Sequence, residues 1–317
     1  MLTAAIITAG ILALLVLLIA GFIVANWAPD LALAELEKRW APPPSRFVEM
    51  DGVMVHLRDQ GPRDDTNPIV LLHGTGSSLH AWEGWVEALK AIRRVICFDL
   101  PGFGLTGPSP HRIYTIENDI GAVIAVLDKL GIERCVLGGN SLGGAVAWRT
   151  ALEHPDRVQK LILVDAVGYP EHPQSVPIGF RLAQIPAFTW LLKHTLPRSL
   201  VKQGLHNVFG DPKRVSEKMI DRAVAINQRA GNRQALVDRF RQRRPSRFFE
   251  RISELKMLTL IIWGGRDRLI PPADAERFHH DIAGSTLVIF DDLGHAPEEE
   301  DPARTVAAVK RFLDLER

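Results

Sequence analysis

The chain is poor in the residues that mark metal, redox or nucleic-acid proteins. Its 317 residues hold two cysteines, Cys97 and Cys135, whose separation fits neither a metal-ligand nor a redox pair. Basic residues number 38 and acidic ones 37, a formal net charge of +1, so no global field draws nucleic acid or acidic partners. No heptad, solenoid period or extended low-complexity tract is present. Charge is missing altogether from residues 1–29, which also hold no histidine.

That last absence carries a positive reading. Residues 2–25 are almost wholly apolar, and a helix of about 24 residues is roughly 36 Å long, enough to cross a bilayer with some tilt. Trp27 falls where an interfacial aromatic anchor lies. No Lys or Arg precedes the run, and the run is too long for the h-region of a cleaved signal peptide. No polar face interrupts it, as one would in a helix packed on a soluble body. The expectation is a single-pass membrane anchor. The nearest basic residues, Lys38, Arg39 and Arg46, all follow the run, so the positive-inside rule places the main body on the cytoplasmic side.

The rest of the chain, within an overall 46% hydrophobic and 24% charged composition, can bury one large core. "LALAELEKRW" (31–40) reads as a short helix at the membrane exit, and Pro42-Pro43-Pro44 as a stiff linker. "FVEMDGVMVHLRD" reads as a hairpin turning at Asp51-Gly52. Beyond it, "PIVLLHG", "RVICFDLPG", "RCVLGGN", "KLILVDA", "LTLIIWGG" and "STLVIFDD" are β-rich runs. Helical patterns at 115–130, 141–154, 272–282 and 302–315 separate most of them. Such alternation implies a largely parallel sheet covered on both faces. It stops over 171–249, a helical-looking stretch punctuated by Pro173, Pro177, Pro186, Pro197, Pro212 and Pro245, which reads as an insertion over one end of the sheet. Four segments follow: 1–45 anchor and linker, 46–170 first half of the core, 171–249 helical cap, 250–317 second half.

Gly139-Asn140-Ser141-Leu142-Gly143 fits G-x-S-x-G on the junction between a strand and a helix. A turn that sharp strains the serine and exposes its hydroxyl, and side chains at 139 and 143 would collide with neighbouring backbone. The start of the helix aims the Leu142 N–H at developing negative charge. A serine hydroxyl needs a base to take its proton, and the base needs a carboxylate to hold its tautomer. "WGGRDRLIPP" puts Asp267 just after a strand, and "FDDLGHAPEEEDP" puts His295 in a loop after the last strand. Asp165, at the end of an earlier strand, is the rival carboxylate.

The order Ser141, Asp267, His295, with "LHGTG", "DLPGFGLT", "GNSLGG", "WGGRD" and "LGHAPEEEDP" in sequence, resembles the serine α/β-hydrolases over residues 47–317. The resemblance implies the α/β-hydrolase fold, an eight-stranded, mostly parallel sheet with a helical cap, and neither cofactor nor metal. It also implies a second oxyanion donor at the backbone of Thr75, in His73-Gly74-Thr75-Gly76, with His73 bracing that loop. Haloalkane dehalogenases and epoxide hydrolases are similar but carry aspartate where this chain has Ser141. Carbon–carbon bond hydrolases of aromatic-ring degradation are similar too. They usually have G-x-G-P-G after the histidine-glycine pair and Trp after the catalytic histidine, whereas Ser77 and Ser78 follow Gly76 here and Ala296 follows His295. Both departures favour ester hydrolysis. The layout further resembles membrane-anchored monoacylglycerol hydrolases, an analogy that admits a lipid ester as substrate. The expectation is a serine esterase acting on apolar small-molecule esters. The alternatives are carbon–carbon hydrolysis of a vinylogous diketone and a catalytically silent scaffold, the last opposed by an intact set of triad candidates.

Overall fold

The structure, a computed structural model, describes residues 2–50, 52–170, 173–244 and 247–315. Asp51 and Pro245 of the readings above lie outside the described residues. Eight strands form one sheet: β1 (Arg46–Met50), β2 (Val53–Gln60), β3 (Ile69–Leu72), β4 (Val95–Phe98), β5 (Cys135–Asn140), β6 (Val158–Val164), β7 (Leu258–Gly264) and β8 (Thr286–Phe290). Their order is β1-β2-β4-β3-β5-β6-β7-β8. The β1–β2 and β2–β4 pairs are antiparallel, and every later pair is parallel. This is the α/β-hydrolase sheet expected from the sequence.

The helices are α1 (Leu2–Ala25), α2 (Leu33–Trp40), α3 (Glu83–Leu89), α4 (Ile116–Lys129), α5 (Leu142–Glu153), α6 (Ile178–Ala183), α7 (Thr189–His194), α8 (Arg198–Val208), α9 (Glu217–Gln228), α10 (Asn232–Gln242), α11 (Pro272–Asp281), α12 (Pro297–Glu300) and α13 (Pro302–Phe312). The central strands read as unbroken apolar runs because both sheet faces are covered. Val70 and Leu72 of β3 enter the core that holds Val123 of α4 and Val146 of α5, while Ile69 and Leu71 enter the one that holds Trp85 of α3 and Val309 of α13. Side chains alternate across a strand, so one run of four supplies both cores. Cys97 and Cys135 are buried free thiols on β4 and β5, with β3 between them. Burial pushes the Cys135 thiol up to about 12 and that of Cys97 higher still.

Helices α6–α10 fall between β6 and β7. The chain leaving α1 is stitched to them: Ala28 N donates to His194 O (2.9 Å), Leu196 N to Asn26 O (3.1 Å) and Leu31 N to Gln228 O (2.7 Å). Helix α2 docks as well, with Leu36 and Trp40 buried against Leu105, and with Trp40 O meeting His80 Nε2 at 2.7 Å. Residues 26–40 are therefore packed on the body, not a loose tether. In contrast, the 20-residue apolar stretch Ile6–Ala25 of α1 has no part buried inside the protein.

Candidate active site

Ser141 sits between β5 and α5 at φ 54° and ψ −116°, a strained conformation for a residue with a side chain. The turn is fixed from both sides: Ser141 N donates to Val164 O (3.0 Å), and Ser141 O accepts from Ala145 N (3.0 Å) and Val167 N (3.1 Å). A Cβ on Gly139 would strike the Gly143 carbonyl, and one on Gly143 would strike the carbonyls of Leu72 and His73. Both glycines are thus required by close approach of backbone, as the motif predicts.

His295 is brought to Asp267 by the loops after β8 and β7, with Nδ1 and Oδ2 2.6 Å apart. Asp267 Oδ1 accepts from Leu269 N (2.7 Å) and Ile270 N (3.0 Å), which fix the carboxyl group in place. Asn140 Nδ2 donates to His295 O (2.8 Å), and His295 N donates to Val208 O (2.7 Å) at the end of α8. Glu300 completes the frame, its carboxylate accepting from Gly210 N, Asp211 N and Gly294 N. Among the described residues no hydrogen bond joins Ser141 Oγ to His295; the two side chains meet as walls of one cavity. Such bonds are often long before substrate binds.

Two further buried carboxyls surround this pair. Asp165, at φ 42°, accepts from Gly264 N (3.0 Å) through Oδ1. Burial first, and the Asp267 carboxyl second, push its pKa well above the ordinary range. As a carboxylate it would leave Oδ2 without a partner; as an acid it turns that oxygen into a donor toward Asp267. Glu298 is buried with Oε2 unpartnered, and burial raises its pKa well above the ordinary range. Asp165, Asp267 and His295 bring ligand-type atoms within 4.8 Å of one another. With Nδ1 engaged by Asp267, and Asp267 by three donors, the set reads as a hydrogen-bonded cluster and not as a cation site.

The backbone N–H groups of Thr75 and Leu142 donate to no protein acceptor among the described residues. Thr75 lines the cavity, and Leu142 opens α5, where the first N–H groups lack intrahelical acceptors. His73 lies behind this loop: Leu100 N donates to Nε2 (3.0 Å), so Nδ1 carries the proton and donates to Gly74 O (2.8 Å). Burial lowers the His73 pKa, in keeping with a neutral brace.

The cavity measures about 650 Å³ and lies at the carboxyl ends of β3, β5, β7 and β8, beneath α6–α10. Phe180, Leu200, Leu205 and Phe240 give it an apolar lining, and Phe22 of α1 reaches it as well. Among the wall residues not singled out from sequence are Glu298, Arg233 and Arg222, which pairs with Glu299. Only the tertiary fold brings them to this wall. Arg239 of α10 is buried on Asp119 and Pro101 O.

A profile of the alpha/beta hydrolase fold matches residues 67–302. The 2-hydroxy-6-oxo-2,4-heptadienoate hydrolase of Pseudomonas putida is 31% identical over 281 residues, covering 86% of this chain and 96% of that protein. The solved meta-cleavage product hydrolase of Pseudomonas fluorescens is 25% identical with a TM-score of 0.71, covering 85% of this chain and 97% of that one. A solved membrane phospholipase A shares the fold at 23% identity and a TM-score of 0.72, covering 99% of this chain and 97% of that one. With the profile spanning β3 to the start of α13 and the sheet order in place, the chain belongs to the alpha/beta hydrolase fold family.

Proposed function

We propose that this protein is a membrane-anchored serine hydrolase that cleaves carboxylic esters of apolar acyl groups through an acyl-enzyme. Residues 1–45 serve as anchor and exit segment, 46–170 and 250–317 as the core and 171–249 as the cap, with the core on the cytoplasmic side. Ser141 Oγ attacks the ester carbonyl while His295 Nε2 takes its proton, and Asp267 supports the imidazolium through Nδ1. The N–H groups of Thr75 and Leu142 receive the oxyanion, worth about 2.7–4 kcal/mol per donor in such sites. Collapse expels the alcohol with the proton from His295. Water, deprotonated by His295, then releases the acid. Every step draws on these groups alone.

The observation that carries the reading is the apolar cavity shared by Ser141 and His295, walled in part by Phe22 from the unburied apolar helix. An exposed apolar surface of that length suits the interior of a bilayer. A second reading, carbon–carbon hydrolysis of a ring-fission diketone with the same groups, is favoured by the Pseudomonas putida relative. One experiment separates them: p-nitrophenyl esters of increasing acyl length and a ring-fission diketone, offered to full-length protein in detergent with Ser141→Ala beside it. Rising kcat/KM with acyl length, lost in Ser141→Ala, supports the esterase. Turnover of the diketone alone selects the second reading.

A further inference from the structure

We infer that the α6–α7 face of the cap is a second membrane-contact surface, which docks on an anionic lipid leaflet beside the end of α1. The inference rests on the membrane-anchored reading proposed above and gives the cap a partner of its own. Outside α1, several exposed large apolar side chains are scattered singly, as at Met54, Ile92, Ile113 and Leu258. Four others, Ile178, Ile185, Phe188 and Trp190, fall within residues 178–190, each at least 37% exposed. Helices α6 and α7 pack on each other, so the four share one part of the cap. Single apolar residues are ordinary on a protein surface, whereas a cluster marks an interaction site.

Its position names the partner. The Trp190 ring of α7 lies 6.4 Å from that of Trp27, two residues past the end of α1. His194 joins them, 4.7 Å from the Trp190 ring and stacked on Trp27 at 5.3 Å. Phe22, about 5 Å of helix rise before the end of α1, lines the same cavity as Phe180 and Leu182 of α6 and Leu191 of α7. The cap thus runs alongside the last turn of α1. With α1 across a bilayer, that turn lies at the interface, where indole rings concentrate and amphipathic segments sink about 5–10 Å.

Charge selects the leaflet. Residues 172–210 hold no Asp or Glu, yet carry Arg181, Lys193, Arg198 and Lys202. Arg198 and Lys202 are paired with Glu217. Arg181, which is exposed, and Lys193, which is half-buried, make no ion pair among the described residues. Arg241 adds a cation at the start of α7, where its Nη2 donates to Thr189 Oγ1 (2.7 Å). Cations set around an apolar cluster fit anionic headgroups over acyl chains, each basic residue strengthening such contact about fivefold.

The test labels this face in the full-length protein. Cys97 and Cys135 are buried with raised thiol pKa values, so the cysteine of Ile185→Cys or Phe188→Cys takes an environment-sensitive fluorophore alone. Lys129→Cys is the control, because Lys129 is exposed where α4 leads into the start of β5, at the opposite end of the sheet from the cavity. Each protein is reconstituted into vesicles of phosphatidylcholine, or of phosphatidylcholine and phosphatidylglycerol in equal parts, containing lipid spin-labelled near the top of the acyl chain. Labels at 185 and 188 should be quenched, about twofold or more strongly with phosphatidylglycerol, and the label at 129 should not. Adding Arg181→Gln and Lys193→Gln should abolish the preference for phosphatidylglycerol. Labels at 185 and 188 that stay in water while the protein floats with the vesicles would overturn the docking and leave α1 alone in the membrane. Equal quenching in both vesicle types would overturn the anionic leaflet as the occupant. Labels shielded from water yet untouched by the lipid quencher would put a second copy of the chain on this face, and would overturn the proposal too. Protein that floats with neither vesicle would fell the anchor reading, and the docking with it; no turnover enters any of these readouts.

Discussion

At the scale of single residues, the decisive pair is Asp165 and Asp267, two buried carboxyls beside one imidazole. Like charges this close cannot both ionise in a dry site, so one must hold a proton. Asp267 accepts from two backbone N–H groups and from His295, whereas Asp165 has one N–H, which leaves Asp165 as the neutral member. An amide can donate where that acid donates. Asp165→Asn should therefore keep kcat within about threefold, whereas Asp267→Asn should lose roughly 10⁴-fold, as when a triad carboxylate becomes an amide. Steady-state kinetics on a short ester decides; the reverse order of losses would give the working charge to Asp165. Sequence supplied both carboxyls as candidates, since each follows a β-rich run. It could not rank them by environment, because their protonation depends on contacts between residues 102 positions apart. Arg233 and Glu298 were hidden for the same reason: nothing local distinguishes a buried side chain from a solvated one.

At the scale of elements, strands and helices were legible wherever one periodicity dominated, as in the runs of β3–β8 and in α4, α5, α11 and α13. The exit segment was not. The stretch 31–40 reads as a helix, yet nothing local shows that Leu36 and Trp40 are 3% and 5% exposed against Leu105. A proline triplet after it suggests a boundary, but packing places α2 on the body side of that boundary. Helix α2 is thus a structural part of the hydrolase, while α1 contributes Phe22 to the cavity and no part of its apolar stretch to the interior. Trp40→Ala should cost about 3–5 kcal/mol, as deletion of a buried indole does, and should free His80 from a neighbouring ring. Removal of residues 1–25 should leave thermal stability nearly unchanged in detergent, whereas removal of 1–45 should lower Tm at least as far as Trp40→Ala. Equal Tm values for the two truncations would show that α2 does not hold the body together.

At the scale of the whole molecule, buried acids pull stability in opposite directions as pH changes. Asp99 sits under the sheet ends and accepts from His56 Nδ1, Leu79 N and Leu105 N, each at 2.7 Å. Burial alone would raise its pKa, but the His56 ring holds it well below 3.8. Asp59 is likewise lowered, against burial, by Arg94 and Arg63. In both, the unfolded chain binds the proton first, so their stabilisation is complete above 3.8 and is lost as pH falls through the folded values. Asp165 and Glu298 run the other way. Their pKa values are raised above 3.8 and 4.5, so the folded state keeps protons that the unfolded chain has released. The stability tied to those protons is complete below 3.8 and 4.5 and declines as pH rises toward the folded values. Two variants separate the slopes. Glu298→Gln removes a titrating acid but keeps its shape, so its Tm should gain on wild type as pH climbs from 4 to 8. Asp99→Asn should fall furthest below wild type near neutrality and approach it as pH drops below 3.8. Differential scanning calorimetry from mildly alkaline pH down to values below 3.8 reads both trends, and parallel curves for Glu298→Gln and wild type would mean that Glu298 is ionised in the folded protein.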